Sequence, residues 1–192
     1  MSIMINRPAT EFRKPNACDI TEISAFKEEF QEHKSGMDGT GTLVRSSAEE
    51  WLLYNQQMEN GENPSGLHCL QYGLFQSENG RLLGLLQIRL ELVGYLTDFG
   101  GNIGYCVRPS ERRKGYAEEM LRRSLDICQE RGLQKVLVTC LEDNIASAKT
   151  IESCGGIFEK IIYDDQNYMA NLKRYWITCS SRPKRLTPAC SD

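Results

Sequence analysis

The chain has 192 residues, of which 40% are hydrophobic and 26% are charged, so it is long enough for one globular domain with a substantial core. Its formal net charge of −3 provides no electrostatic footprint for nucleic acid or an anionic membrane. No apolar run reaches the roughly 20 residues that span a bilayer, and residues 1–14 lack the apolar stretch of a secretory signal. These features predict a cytoplasmic protein that binds neither nucleic acid nor membrane.

The cysteines do not have the spacing of a metal site. There are eight cysteines and two histidines, with no CxxC pair, and neither His33 nor His68 lies at zinc-ligand spacing from a cysteine pair. Several cysteines fall on the apolar side of helix or strand patterns, where cysteine behaves as a small hydrophobic residue. The sequence therefore predicts reduced cysteines and no metal.

The first half of the chain predicts two helices followed by a hairpin. Residues 20–32 have apolar side chains at helical spacing, and serines 46–47 supply cap residues for a second helix over 48–58. Residues 68–75 and 81–92 have the character of two strands, and the turn between them contains Asn-Gly, a strong hairpin signal.

The second half alternates strands with helices. Four strands are predicted, over residues 101–107, 136–141, 157–163 and 168–178, and two helices, over 116–131 and 145–153. This order predicts a mixed α/β fold in a single domain over residues 1–179. Residues 180–192, with two prolines and mixed charge, are predicted to form a flexible tail.

The loop before the 116–131 helix has the chemistry of an anion site. Free N–H groups converge at a helix N-terminus, where the helix dipole also favours negative charge. Gly115 would let a phosphate approach the backbone without a Cβ in the way, and Arg112, Arg113 and Lys114 add positive charge. Ala117 is small enough to keep the first turn close to a ligand. The alternative is a basic turn followed by a solvated helix.

The pattern Arg112-x-x-Gly115-x-Ala117 resembles the pyrophosphate-binding motif of the GNAT acetyltransferases. Further features stand in the order of that family: Val107-x-Pro109 before the loop, Asn144 after the next strand, and a Gly-Gly pair at 155–156 after the next helix. The resemblance is strongest over residues 101–158, and the whole run is similar to a branch of predicted bacterial acetyltransferases of undefined substrate. It implies a GNAT-like fold with a mostly antiparallel central sheet, splayed at the cofactor site and flanked by helices.

The resemblance also implies acetyl-CoA as the acyl donor and direct attack by a primary amine in a ternary complex. The pantetheine arm would contact the strand residues Tyr105, Cys106 and Val107. The remaining cofactor-binding residues implied by the resemblance are Arg112, Arg113, Lys114, Gly115, Tyr116 and Ala117 at the pyrophosphate, and Asn144, Ser147 and Lys149 along the arm. Asn144 is also a common residue type at a helix N-cap.

The usual catalytic residues of the family are missing from their positions. The general-acid tyrosine of many members would fall at Ile151, and a carboxylate found in some members would fall near Asn102. Tyr105 and Glu142 are the predicted substitutes, as proton donor to the leaving thiolate and as proton acceptor through water. Other candidates are Tyr168 as donor and Glu91 and Asp98 as acceptors. The alternative is that Tyr168 is a packing residue and that Glu91 and Asp98 are surface residues.

The acceptor cannot be identified from the sequence beyond a small-molecule or peptide amine. By resemblance, the N-terminal third and the loop over 94–100 shape the acceptor side. Because strand edges in this fold often pair between subunits, a homodimer is a further expectation. The alternative function is a non-catalytic acyl-CoA-binding sensor, since the usual acid and base are absent.

Overall fold

A computed structural model describes residues 7–179 of the chain, so the predicted tail over 180–192 lies outside the described residues. The helices are α1 (Ile20–Glu32), α2 (Ala48–Asn60), α3 (Tyr116–Glu130) and α4 (Ile145–Ser153). The strands are β1 (Thr10–Arg13), β2 (Cys69–Gln76), β3 (Leu82–Arg89), β4 (Ile103–Val107), β5 (Lys135–Leu141), β6 (Ile157–Asp164) and β7 (Ala170–Thr178).

Every helix and strand predicted from the sequence is present. Four short elements are not predicted: the strand β1, a single π-helical turn over Leu96–Gly100, and two 3-10 turns over Ala17–Asp19 and Pro109–Glu111. β1 has one strongly apolar residue, Phe12, in four, so it carries no periodic signal, and it becomes a strand by pairing antiparallel with β2.

The strands form two antiparallel groups rather than one continuous sheet. Their orders are β1-β2-β3-β4 and β5-β7-β6. This arrangement confirms the predicted fold class, a mixed α/β fold with mostly antiparallel strands flanked by helices.

Asn102 joins the two groups at the point where β4 and β5 meet. Its backbone N–H donates to the Leu137 carbonyl at 2.7 Å, and its side-chain Oδ1 accepts from the Leu137 N–H at 2.8 Å. Its Nδ2 donates to the Arg89 carbonyl at 3.0 Å. Gly101 precedes this junction with a φ of +64°, and a Cβ there would lie 2.6 Å from the Leu137 carbonyl oxygen. Beyond Asn102 the strands β4 and β5 are not paired, so a gap opens between them.

Helices cover both faces of the β1–β4 group. On one face α3 buries Met120 and Leu121 completely. On the other face α1 and α2 contribute Phe26, Phe30 and Trp51 to a second cluster. Because helices pack on both faces of this sheet, a ligand can reach it at the gap beside β4.

Most of the described cysteines are buried. The seven cysteines within residues 7–179 are free thiols, and six of them are buried. In the same part of the chain no group of three or more His, Cys, Asp or Glu side chains is arranged to hold a metal ion. No helix among the described residues is long and apolar enough to cross a membrane.

Candidate active site

A cavity of about 920 Å³ lies where β4 and β5 diverge. Its walls come from β4, the end of β5, the starts of α3 and α4, the loop after α1, the π-helical turn and the β6–β7 turn. Most of the residues that the sequence analysis selected line this cavity: Tyr105, Cys106, Val107, Arg112, Arg113, Gly115, Tyr116, Ala117, Asn144, Ser147 and Lys149. Lys114 and Glu142 are not among the lining residues.

The N-terminus of α3 is open to a ligand. Gly115 occupies the N-cap position with a φ of +81° and has no side chain with which to cap the helix. The first N–H groups of α3 therefore have no side-chain acceptor, and they lie on the wall of the cavity. Uncapped helical N–H groups with an aligned dipole favour an anion.

The three cations of the loop have different surroundings. Arg112 donates to the Val107 carbonyl at 3.2 Å and to the Ser35 hydroxyl at 2.6 Å, so it ties the loop to neighbouring segments. Lys114 is paired with Glu111 at 2.8 Å. Arg113 has a positive φ of 65° and makes no hydrogen bond or ion pair with another described residue. Of the three, Arg113 is the cation whose charge is uncommitted.

Arg7 is a fourth cation at this loop, and the sequence does not predict it. Its Nη1 donates to the Lys114 carbonyl at 2.7 Å, and its Nη2 pairs with Glu119 at 3.2 Å. A Cβ built on Gly115 would lie 2.7 Å from the Arg7 guanidinium. The contact spans 107 residues of sequence, so no local pattern could reveal it.

Tyr105 reaches across the gap from β4 to α4. Its hydroxyl lies 2.9 Å from the Ser147 hydroxyl, and the N–H of Ser147 donates to Oδ1 of Asn144 at 3.0 Å. Asn144 is therefore the N-cap of α4. Burial raises the pKa of the Tyr105 phenol above its ordinary value, and the Ser147 hydrogen bond opposes this only in part. The phenol is thus protonated at neutral pH.

The loop after α1 lies directly on β4. A Cβ on Gly39, which has a φ of +70°, would come within 2.0 Å of the Gly104 carbonyl oxygen. This close approach brings the preceding residue, Asp38, to the wall of the cavity at the end away from α3 and α4.

Two tyrosines and a buried carboxylate organise that end of the cavity. Tyr168 donates to Oδ1 of Asp38 at 2.8 Å, and burial, followed by Asp38, raises the pKa of Tyr168. Tyr95 donates to Asp164 at 2.6 Å, and burial together with this bond raises the pKa of Tyr95 to about 12. Asp164 is fully buried and also accepts from the backbone N–H groups of residues 166, 167 and 168.

Several candidates from the sequence lie elsewhere. Glu142 accepts from the Asn171 amide at 2.8 Å, outside the cavity lining. Glu91 accepts from the backbone N–H of His68 at 2.8 Å. Asp98 has an exposed side chain beside Arg174, and Ile151 is completely buried in the core. The polar residues Asp38 and Arg89, which do line the cavity, carry no sequence motif that could have identified them.

These features are those expected of a transferase that holds a phosphate-bearing donor between two diverging strands. A family model for a GNAT acetyltransferase domain matches residues 10–157. The chain therefore belongs to the GNAT acetyltransferases, and it is an acyltransferase whose acyl donor is acetyl-CoA. A search of curated proteins gives no match.

The solved structures similar to this chain share its fold at low sequence identity. A ribosomal-protein-S5-alanine acetyltransferase from Vibrio fischeri has a TM-score of 0.70 and 12% identity, covering 95% of this chain and 100% of its own. RimJ from Mycobacterium smegmatis, in complex with CoA-disulfide, has a TM-score of 0.65 and 21% identity, covering 88% and 81%. A spermidine N-acetyltransferase from Vibrio cholerae, in complex with CoA and spermine, has a TM-score of 0.61 and 17% identity, covering 88% and 95%.

Proposed function

We propose that this protein is an N-acetyltransferase that moves the acetyl group of acetyl-CoA to a primary amine on a small molecule or peptide. The observation that carries the proposal is the continuous cavity between β4 and β5. It joins the uncapped N-terminus of α3 at one end to Asp38 and Tyr168 at the other. A ternary complex needs this arrangement, because donor and acceptor must meet within one site.

The chain's own residues fit the donor. The N–H groups of residues 113–117 bind the pyrophosphate, and Arg113 supplies the uncommitted charge. Tyr105, Cys106 and Val107 run along the pantetheine arm, while Ser147 and Lys149 on α4 lie on the facing wall. Arg112 and Lys114 act mainly on the loop, which they hold through Ser35 and Glu111.

The chemistry is direct attack of the neutral amine on the thioester carbonyl. A C–N bond forms, the C–S bond breaks, the amine loses one proton and the thiolate gains one. Backbone N–H groups of β4 stabilise the oxyanion. Tyr105 donates the proton to the thiolate and recovers one through Ser147, which lies 2.9 Å away. Asp38 accepts the proton of the amine, a role that the position of Glu142 outside the cavity does not favour.

The similar structures support an amine acceptor as a class. One of them is a spermidine N-acetyltransferase, and another is a ribosomal-protein-S5-alanine acetyltransferase. The acetylation of both a polyamine and a protein within one fold means that the acceptor is decided by the particular side chains at the Asp38 end of the cavity.

Calorimetric titration with acetyl-CoA tests the donor site. We expect micromolar binding by the wild type and its loss in Arg113→Glu and Gly115→Asp, because each puts a negative charge where the pyrophosphate binds. Arg131→Glu, at the opposite end of α3, is the matched charge-reversal control and should bind normally. Failure of the wild type to bind would overturn the proposal, and so would binding without thiol release across a panel of amines.

We further propose that two copies associate along β6. This strand is the edge of the β5-β7-β6 group, and seven of its eight residues are at least partly exposed. Ile157 is 71% exposed and Phe158 is 51% exposed. An open edge strand with apolar side chains is a ready template for another chain.

A further inference from the structure

Arg89, at the end of β3, is a cation without a counterion. Its Nη1 donates to the carbonyls of Gly100 and Gly101 at 3.0 and 3.1 Å. Within residues 7–179, its Nε and Nη2 make no hydrogen bond and no carboxylate lies within 4.0 Å of the guanidinium. The side chain is half-buried and lines the cavity, so one edge of the guanidinium is held while the other is free.

An unpaired cation in this position lowers the stability of the folded protein unless an anion binds to it. Burial lowers the pKa of Arg89, and the surrounding groups, Asp38 among them, offset this only in part. Arginine nevertheless keeps its charge in proteins. A charge withdrawn from water is normally compensated by an ion of opposite sign. The free Nε and Nη2 edge of a guanidinium matches the two oxygens of a carboxylate.

The free edge lies beside the strand on which the reaction takes place. A Cβ built on Gly104 would be 3.3 Å from Nη2 of Arg89. Gly104 directly precedes Tyr105, the proposed proton donor. Asp38 also lies near Gly104, because the next residue, Gly39, packs on the Gly104 carbonyl. The acceptor end of the cavity thus carries one positive and one negative group, each partnered by neutral groups rather than by the other.

There is further space beyond Arg89. A second cavity of about 370 Å³ shares Arg89 and Leu96 with the first and is also lined by Tyr54, Met58 and Leu67. A molecule bound at the guanidinium could therefore extend away from β4 between largely apolar walls. The acceptor need not be a single small amino acid.

We propose that the acceptor is a primary amine carrying a carboxylate, which binds the free Nε and Nη2 edge of Arg89 while its amine faces Asp38 and the thioester. This inference deepens the proposed function and rests on it. It assigns the acceptor class to zwitterionic amines, either free amino acids or peptide ends with a nearby carboxylate. A polyamine would instead bring a second positive charge towards Arg89.

Thiol release with matched pairs of amines tests the acceptor class. In each pair a neutral amide replaces the carboxylate: β-alanine and β-alaninamide, 4-aminobutyrate and 4-aminobutyramide, and a C-terminally amidated dipeptide with an acidic second residue and its Asn or Gln counterpart. In the preferred pair, we expect kcat/KM to be about 10-fold to 100-fold higher for the amine with the carboxylate. Only this amine can form a charge-assisted bidentate contact with Arg89. If the difference in kcat/KM is largest for an amino acid pair, the acceptor is a free amino acid. If it is largest for the dipeptide pair, the acceptor is a peptide.

Arg89→Gln should abolish this preference, and Arg89→Lys should keep part of it. Arg45→Gln, an exposed arginine outside both cavities, is the matched control and should leave the preference unchanged. In the wild type, butyrate should inhibit competitively against the amine and butyramide should not, a comparison that stands even if a variant fails to fold.

The outcomes separate the two proposals. If acetyl-CoA binds but amines without a carboxylate react as fast as their partners, the acceptor inference fails while the acetyltransferase function stands. If acetyl-CoA does not bind, or no amine releases thiol, the function itself fails and the inference fails with it.

Discussion

Tyr105 is the proposed proton donor, and it reaches the cavity from β4 rather than from α4. The general-acid tyrosine of many GNAT acetyltransferases would stand at Ile151, a residue that is completely buried. The Tyr105 hydroxyl instead arrives from the opposite wall and meets Ser147, one helical turn before Ile151. On this proposal, the phenol that the family usually supplies from the helix comes here from a strand.

Replacing the phenol tests this role. Tyr105→Phe should lower kcat by about 10²-fold or more, the ordinary contribution of a positioned acid, and should leave the calorimetric affinity for acetyl-CoA within a few-fold of wild type. Tyr72→Phe, which removes a hydroxyl from β2 outside the cavity, is the control. An unchanged kcat in Tyr105→Phe would show that Tyr105 is not the proton donor.

The raised pKa of Tyr105 gives a prediction for the pH profile. A phenol ordinarily loses its proton near pH 10, and burial moves the pKa of Tyr105 upward. The acid form therefore persists above the ordinary value. We expect kcat at saturating amine to show no decline due to Tyr105 up to about pH 10. A descending limb below pH 9 that disappears in Tyr105→Phe would contradict this assignment.

Among the residues that line the cavity, those that lie close together in the chain could be predicted from the sequence, and those that come from distant segments could not. Arg113, Gly115 and Asn144 belong to one strand–helix–strand–helix run, where local spacing fixes relative position. Asp38 and Arg89 converge only because the loop after α1 packs on β4, which a residue-by-residue pattern does not encode. Asn102 stands near the position of a catalytic carboxylate in some family members, and its hydrogen bonds show that it joins the two strand groups instead.

At the scale of elements, the β6–β7 turn is held to the π-helical turn by one buried carboxylate. Burial alone would raise the pKa of Asp164, but the hydrogen bonds from Tyr95 and from three backbone N–H groups lower it overall. The turn carries Tyr168, which contacts Asp38. The position of Tyr168 at the acceptor end of the cavity therefore depends on Asp164.

Asp164→Asn should loosen this turn. The variant loses charge-assisted hydrogen bonds to a buried site, so we expect a loss of about 1–3 kcal/mol in the free energy of unfolding and a raised KM for the amine. Because the folded pKa of Asp164 is lowered, its stabilising effect is present above the unfolded value of about 4 and is lost as pH falls below it. Chemical denaturation should therefore give a difference between wild type and variant that shrinks towards pH 3.

The control for this change is Asp165→Asn, in the same turn but exposed. It should leave both unfolding and KM unchanged. Equal effects of the two substitutions would mean that the turn responds to charge in general rather than to the buried contacts of Asp164.

The elements themselves followed from the sequence where periodicity or turn signals were strong. α1 and α4 have the predicted bounds, and the others differ at each end by at most three residues. β1 could not be predicted because four residues are too few to show a period. The π-helical turn could not be predicted because its geometry depends on tertiary contacts, such as the hydrogen bond from Thr139 to the Phe99 carbonyl at 2.6 Å.

At the scale of the whole molecule, the division of the strands into two groups creates the cavity and also leaves β6 as an edge. We expect light scattering of the wild type to give the mass of a dimer at micromolar concentration. Ile157→Lys and Ile161→Lys should give a monomer, since a charge on an open edge strand opposes pairing. Leu53→Lys, an exposed apolar residue on α2, is the matched control and should remain dimeric.

A monomeric wild type would exclude association along β6 without affecting the acetyltransferase proposal. A dimer that persists in both β6 variants would mean that the copies meet through another surface.

The contact of Arg7 with the α3 loop bears on how the protein is shortened for study. The Arg7 guanidinium donates to the Lys114 carbonyl and lies against Gly115, so it places a positive charge at the proposed pyrophosphate site. A truncation that removes Arg7 would take this charge away. Dissociation constants for acetyl-CoA should therefore be measured on protein that retains Arg7.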